Sequence, residues 1–168
     1  MKAKLTINGK EFEVEISEEQ VQALTETKKK TGYERVGKGT PFYALYLDGQ
    51  VVTACEDNSE WNDEIYNNGN YCSEKSVAEN NARADKLYRQ LRRFAVENRQ
   101  KKLDWNNEDE EKWCIFFEHS YEGLVVDYLD SNQHFGSIYF DSKETARRAI
   151  DTFKDELIWY FTEYKDSL

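Results

Sequence analysis

Residues 71–78 read YCSEKSVA, and residues 139–146 read YFDSKETA. Four pairs of related residues in these stretches share a constant offset of 68 residues: Tyr71 and Tyr139, Ser73 and Asp141, Lys75 and Lys143, Ala78 and Ala146. Ser and Asp are residues that cap helices, so each stretch predicts a corner where a strand ends and a helix begins. Two such corners at a fixed offset predict an internal repeat.

The strands before each corner follow the same order in both copies. In the first copy, the apolar runs 42–47 and 51–54 are joined through Asp48-Gly49, a pair typical of hairpin turns. In the second copy, the runs 113–117 and 124–128 turn around Glu122-Gly123, and a further run, 137–140, leads into the last helix. This order predicts two related ββ(β)α units with antiparallel sheets.

Each unit closes with a helix that has one apolar face. The first helix carries its apolar face on Ala84, Leu87, Tyr88, Leu91, Phe94 and Ala95, and the last on Ala146, Ile150, Phe153, Leu157, Phe161 and Tyr164. Trp159 lies off the second stripe. A Trp on the opposite face predicts a second packed surface, either against another part of this chain or against a partner.

A β-hairpin and a short helix precede the two units. The alternating runs 4–7 and 12–16 flank Asn8-Gly9, and Ser17 with Gln20 forms a capping box. Residues 31–41 form a connector rich in glycine, and residues 104–111 form a charged link. We therefore expect an α+β protein with three segments: a hairpin-helix at 1–31, a first unit with a long basic helix at 32–103, and an acidic second unit at 104–168.

The composition predicts a folded chain without a membrane-spanning segment. Apolar residues make up 39% and aromatic residues 14% of the 168 positions, which is enough apolar area to offset chain entropy. The opening residues lack the apolar core of a signal peptide, and no window approaches 18 apolar residues. We expect a soluble protein of the cytoplasm, with no membrane contact and with its three cysteines reduced.

The sequence contains no motif of a common enzyme class. It lacks the nucleophile elbow, the phosphate loop, the dinucleotide fingerprint and the H-E-x-x-H zinc motif. His119 and His134 are expected on the surface, and residues 56–64 lack the glycine at the sixth position of a calcium loop. We therefore expect no catalytic residue, no metal and no cofactor.

The net charge of −10 is unevenly distributed. Residues 83–103 carry 8 basic and 2 acidic groups, whereas residues 104–168 carry 6 basic and 16 acidic groups. Aromatic residues surrounded by charge are common at contact sites. We expect an acidic loop from residue 56 to residue 70. The candidate partner-binding residues come from this loop, from the charged link at 104–111 and from the Trp outside the apolar stripe. They are Glu56, Asp57, Glu60, Trp61, Asp63, Glu64, Glu108, Asp109, Glu110, Glu111 and Trp159.

Two alternatives remain open. The basic helix at 83–102 could bind nucleic acid through Lys86, Arg89, Arg92 and Arg93, although the acidic charge around it disfavours steering towards phosphates. On the opposing interpretation, this face is solvated or pairs with the acidic second unit. The other alternative is a structural homo-oligomer that associates through Trp159.

Three segments of the chain resemble uncharacterised small accessory proteins of phages and prophages of Gram-positive bacteria. They are Gly32–Val36 with Pro41-Phe42-Tyr43, Gly69-Asn70-Tyr71, and Ile138–Lys143. The resemblance implies an accessory protein that acts in the cytoplasm of the host bacterium. We expect it to bind and modulate or inhibit a host protein that handles nucleic acid or serves in defence, in the manner of an anti-CRISPR or anti-restriction protein, with acidic groups mimicking nucleic acid.

Overall fold

A computed structural model of the protein describes residues 2–7, 9–17, 30–46 and 48–164. The chain is α+β with antiparallel sheets, as the sequence predicts. The helix predicted after Ser17 lies outside the described residues. No helix within the described ranges is long and apolar enough to cross a membrane.

The chain begins with the predicted hairpin. Strands β1 (Lys2–Ile7) and β2 (Lys10–Glu15) pair antiparallel and form a sheet of their own. Ile7 pairs with Lys10, and Gly9 takes a φ of +77°, which glycine adopts without steric cost. The turn chemistry therefore sets the register of this hairpin.

The first unit contains three strands and two helices. β3 (Pro41–Leu45) lies between β4 (Val51–Cys55) and β5 (Tyr71–Cys72), and α2 (Lys75–Asn98) follows. The expected loop at 56–70 is wrong in part, because α1 (Glu60–Asn67) forms within it. Ser59 begins this helix by accepting a hydrogen bond from Asn62 N at 3.4 Å, which satisfies a free N–H of the first turn.

The second unit repeats the hairpin and the long helix of the first, but no helix lies between its residues 129 and 143. β6 (Lys112–Glu118) pairs with β7 (Gly123–Leu129), and α3 (Lys143–Trp159) continues into a π-helical turn, Tyr160–Tyr164. The strand predicted at 137–140 is reduced to one bridge between Phe140 and Trp113. Both N-caps lie one residue after the predicted positions, at Glu74 and Ser142, so the offset of 68 residues is preserved.

The largest core joins the first unit's long helix to the second unit. It contains Leu87, Leu91 and Ala95 of α2 together with Phe140, Ala146, Ala149 and Leu157. Tyr88 is 41% exposed, in agreement with its place at the edge of the apolar face. A smaller core holds Phe42, Ala44 and Tyr71, with Ile65 of α1 packed against it. Because α2 is covered by α3, the two helices depend on each other for burial.

Candidate functional site

A buried carboxylate anchors the loop that leads into α1. Glu56 was predicted to contact a partner, but its side chain is fully buried, so this placement is wrong. It accepts hydrogen bonds from Arg35 Nε and Nη2 at 2.9 and 3.1 Å and from Tyr71 Oη at 3.0 Å. Asn58 N and Asn62 Nδ2 donate to it at 2.8 and 3.0 Å. These five donors replace water around the buried charge.

The electrostatics of this cluster favour the ionised carboxylate. The hydrogen bonds from Arg35, followed by those from Asn62, Asn58 and Tyr71, lower the pKa of Glu56 to about 2 against the opposing effect of burial. Burial raises the pKa of the Tyr71 hydroxyl, which therefore remains a donor. Arg35 also contacts Asp63 Oδ1 through Nη1 at 2.5 Å, so one guanidinium joins the connector, the loop and α1.

Five of the predicted residues lie together on the outside of this anchored structure. We call Asp57, Glu60, Trp61, Asp63 and Glu64 the acidic-aromatic patch. All five are exposed, and Trp61 is 43% exposed. The Trp61 ring lies 6.2 Å from the Phe42 ring, which supports it from below. Asp57 Oδ1 accepts hydrogen bonds from Ser59 N and Asn62 Nδ2 at 2.9 and 2.8 Å, and the bonds from Ser59 lower its pKa.

The charged link at residues 104–111 contains one buried glutamate and three exposed acidic residues of the predicted set. Glu110, a predicted partner contact, is buried, pairs with Lys101 Nζ at 2.6 Å and accepts from Asp104 N at 2.6 Å. The hydrogen bond from Lys101 is the main cause of its lowered pKa. Glu110 therefore ties the link to the segment that follows α2, whereas Glu108, Asp109 and Glu111 remain exposed.

Trp159 belongs to an internal interface. Its side chain is 6% exposed, and the Arg83 guanidinium lies 3.9 Å from the centre of its ring. Arg83 also donates to Glu156 Oε2 and Oε1 at 2.8 and 3.1 Å. The sequence left open whether this Trp packs within the chain or against a partner. In the structure it packs within the chain, so Trp159 offers no surface for self-association.

The four basic residues proposed for nucleic-acid binding are all exposed on α2. Arg93 pairs with Glu97 of the same helix at 3.9 Å. Among the described residues, no carboxylate lies within the 4.0 Å limit of an ion pair from Lys86, Arg89 or Arg92. Glu156 of the second unit pairs with Arg83 instead. The hydrogen bond from Arg83, together with the nearby charge of Lys86, lowers the pKa of Glu156, so the acidic second unit meets only one edge of the basic face.

An apolar groove was not foreseen from the sequence. It encloses about 650 Å³ between α2, β6, the end of α3 and residues 134–138, and it is lined by Leu87, Tyr88, Leu91 and Phe117 among others. His119, His134 and Cys114 also line it, but no group of three metal-ligating side chains occurs in the described part of the chain. Burial raises the pKa of the Cys114 thiol to about 11, which keeps it a poor nucleophile.

Comparisons with protein-family models, with curated proteins and with solved structures find no match to this chain. The resemblance to phage accessory proteins therefore remains an expectation, and function has to be argued from the geometry of these surfaces.

Proposed function

We propose that this protein acts by binding another protein through the acidic-aromatic patch. The observation that carries the proposal is the exposed Trp61 beside four exposed carboxylates, three of them on a helix that Arg35 and the buried Glu56 hold in place. The proposal includes no catalytic step and no cofactor.

The arrangement has the properties of a contact site. The exposed Trp supplies area that can be desolvated, and the neighbouring carboxylates steer a partner of opposite charge. Since the Glu56 cluster orders the backbone beforehand, little conformational entropy remains to be lost on association. The patch therefore suits a basic protein surface.

The chemistry of the partner follows from these charges. Proteins that handle nucleic acids present basic surfaces to phosphate groups, and carboxylates can occupy the same positions. We propose a partner of this kind, which the resemblance to phage accessory proteins would place among the host's defence or nucleic-acid enzymes in the bacterial cytoplasm. Inhibition would follow from occupation of the phosphate-binding surface.

Charge reversal within the patch tests the proposal. Tagged wild-type protein is used to capture partners from a nuclease-treated lysate of a Gram-positive bacterium, and the affinity of the principal retained protein is then measured by calorimetry. We expect the variant with Glu60→Lys and Glu64→Lys to lose that partner, and Trp61→Ala to weaken binding by about 30-fold.

The matched control carries the same charge change at Glu108→Lys and Glu111→Lys, which lie in the other exposed acidic run. This control should retain the partner. Full binding by the Glu60→Lys and Glu64→Lys variant would contradict the proposal. Equal losses in both variants would show that only net charge matters, which also contradicts it.

The exposed basic face of α2, on which Arg89 and Arg92 form no ion pair with any described residue, supports nucleic-acid binding as a second candidate function. Fluorescence anisotropy with a labelled oligonucleotide at rising salt concentrations tests it directly. This candidate predicts steep salt dependence and loss of binding when Arg89, Arg92 and Arg93 are changed to Glu. Salt-independent binding, or binding that survives these changes, would contradict it.

A further inference from the structure

Strand β6 has one paired edge and one edge that the described residues leave mostly unpaired. It pairs with β7 from Lys112 to Glu118, while on its other side Trp113 alone exchanges backbone hydrogen bonds with Phe140, at 3.0 and 2.7 Å. In an antiparallel strand, the N–H and C=O groups of alternate residues point to the same edge. Those of Ile115 and Phe117 therefore share the edge of Trp113, and no described residue hydrogen-bonds to them there.

The first unit shows what normally occupies this edge. β3 is covered on the equivalent side by β5, where Tyr43 pairs with Cys72 and Ala44 pairs with Tyr71, and Leu45 N donates to Asn70 O at 3.3 Å. With the repeat offset, Cys72 corresponds to Phe140 and Asn70 to Ile138. The second unit therefore keeps the first pair of this ladder and lacks the continuation.

Local hydrogen bonds hold the corresponding segment away from β6. Ser137 N donates to His134 O at 3.2 Å, and His134 N donates to Tyr139 Oη at 2.6 Å. Gly136 has a φ of +78°, which allows the chain to turn at this point. Residues 134–138 consequently form the far wall of the groove, and no described strand occupies the site of a third strand.

The floor of the groove suits an added strand. Tyr88 and Phe161 line the groove with apolar atoms, and the nearly buried Leu87, Leu91 and Leu157 lie behind them. We propose that the groove receives an extended peptide segment of a partner protein, which pairs with Ile115 and Phe117 as an additional strand of the sheet. Alternate side chains of the peptide would then face α2.

Charge at the end of β6 identifies one end of the peptide as basic. Glu118 ends the strand and Glu122 follows in the turn, both exposed, whereas the described residues that line the groove include no Asp or Glu. A second copy of this chain has a net charge of −10 and would be repelled. The occupant is therefore an extended segment with apolar residues at alternate positions and Lys or Arg at the end that meets Glu118 and Glu122. None of the residues of the acidic-aromatic patch lines this groove, so the proposal is independent of the proposed function.

Backbone hydrogen exchange tests the open edge directly. In the free protein, NMR should show faster exchange for the amide protons of Ile115 and Phe117 than for those of Cys114 and Phe116, which face β7. The probe is a synthetic seven-residue peptide with Val or Thr at its five inner positions and Lys at both ends. At saturation, it should slow the exchange of Ile115 and Phe117 by at least about tenfold, since each amide gains a hydrogen bond.

Two matched controls separate strand addition from simple apolar contact. The same peptide with alternate backbone amides methylated keeps its side chains but cannot pair, and should bind at least about tenfold more weakly. Tyr88→Ala, at a half-exposed position of the groove floor, should weaken peptide binding, whereas Val96→Ala, exposed on the same helix outside the groove, should leave it unchanged.

Three results would overturn the proposal. Slow exchange of Ile115 and Phe117 in the free protein would show that the chain itself closes the edge. Equal binding of the two peptides would exclude backbone pairing, and absence of protection at saturating probe peptide would exclude the groove as a strand-binding site.

Discussion

At the scale of single residues, the buried Glu56 holds in place the loop and helix that carry the acidic-aromatic patch. Its carboxylate receives five hydrogen bonds from the connector, the loop, α1 and β5. Arg35 carries two of them and also contacts Asp63. Removal of this carboxylate would leave buried donors without an acceptor. The resulting loss of folding free energy exceeds the net stabilisation that the hydrogen bonds themselves contribute.

We expect Glu56→Gln to lower the melting temperature by about 10 °C, because the amide cannot accept all five hydrogen bonds and leaves Arg35 without its buried counter-charge. Thermal unfolding followed by circular dichroism at pH 7 measures the change. Glu60→Gln, on the exposed side of α1, is the control and should shift the midpoint by no more than about 1 °C. Similar shifts for both variants would contradict an anchoring role for Glu56.

The difference in melting temperature between the wild type and Glu56→Gln should depend on pH. The pKa of Glu56 is about 2 in the folded chain, whereas its ordinary value, which applies to the unfolded chain, is 4.5. Between these pH values the unfolded chain therefore binds a proton that the folded chain does not bind. Its contribution to stability is present above pH 4.5 and is lost as the pH falls towards 2. Acidification from pH 6 to pH 3 should therefore narrow the difference in melting temperature between the wild type and Glu56→Gln, and an unchanged difference would contradict this linkage.

At the scale of elements, the two repeat helices begin with different chemistry. Ser142 Oγ accepts from Thr145 N at 3.2 Å at the start of α3, whereas Glu74 at the start of α2 makes no such side-chain bond. Sequence spacing predicts these corners but places each N-cap one residue early. Ser73 instead donates to Glu34 Oε2 at 3.1 Å, and Asp141 accepts from Gln100 N at 2.6 Å, so both predicted caps tie the corner to distant segments.

Ser142→Ala should reduce the free energy of unfolding by about 1 kcal/mol, since one N–H of the first turn of α3 loses its acceptor. Chemical denaturation measures the change. Ser76→Ala, at an exposed position in the first turn of α2, is the matched control and should change stability by no more than about 0.5 kcal/mol. A neutral Ser142→Ala would show that the N-terminal turn of α3 is satisfied by other means.

At the scale of the whole molecule, α2 joins the two repeats. This helix belongs to the first repeat in sequence, yet its apolar face forms a common core with Phe140 and α3 of the second repeat. Arg83 of α2 donates a hydrogen bond to Glu156 of α3, and Arg148 of α3 donates one to Asn98 of α2. Neither unit can lose this helix without exposing apolar surface.

Leu87→Ala should reduce the free energy of unfolding by about 3 kcal/mol, because Leu87 is almost fully buried in this common core. NMR signals from β3 and from β6 should disappear at the same denaturant concentration, before and after the change. Tyr88→Ala, the exposed neighbour, should cost much less. Separate transitions for the two strands would show that the units fold independently.

The sequence by itself determined the local elements, because their signals lie in neighbouring residues. Asn8-Gly9 and Asp48-Gly49 with alternating apolar residues predict the first two hairpins, and the stripe from Ala146 to Phe161 predicts the last helix. It also placed Asp57, Glu60, Trp61, Asp63 and Glu64 among the candidates, and they lie together because the segment that carries them is short and continuous.

Only the tertiary structure decided which polar residues are buried and which strand edge stays open. Glu56 and Glu110 look like their exposed neighbours in sequence, but Arg35 and Lys101 reach them from positions that are distant or separated by a turn. Residues 137–140 have strand character, yet their pairing depends on competition between β6 and the local bonds of His134. Burial and long-range pairing depend on contacts between segments, and local sequence patterns carry little information about those contacts.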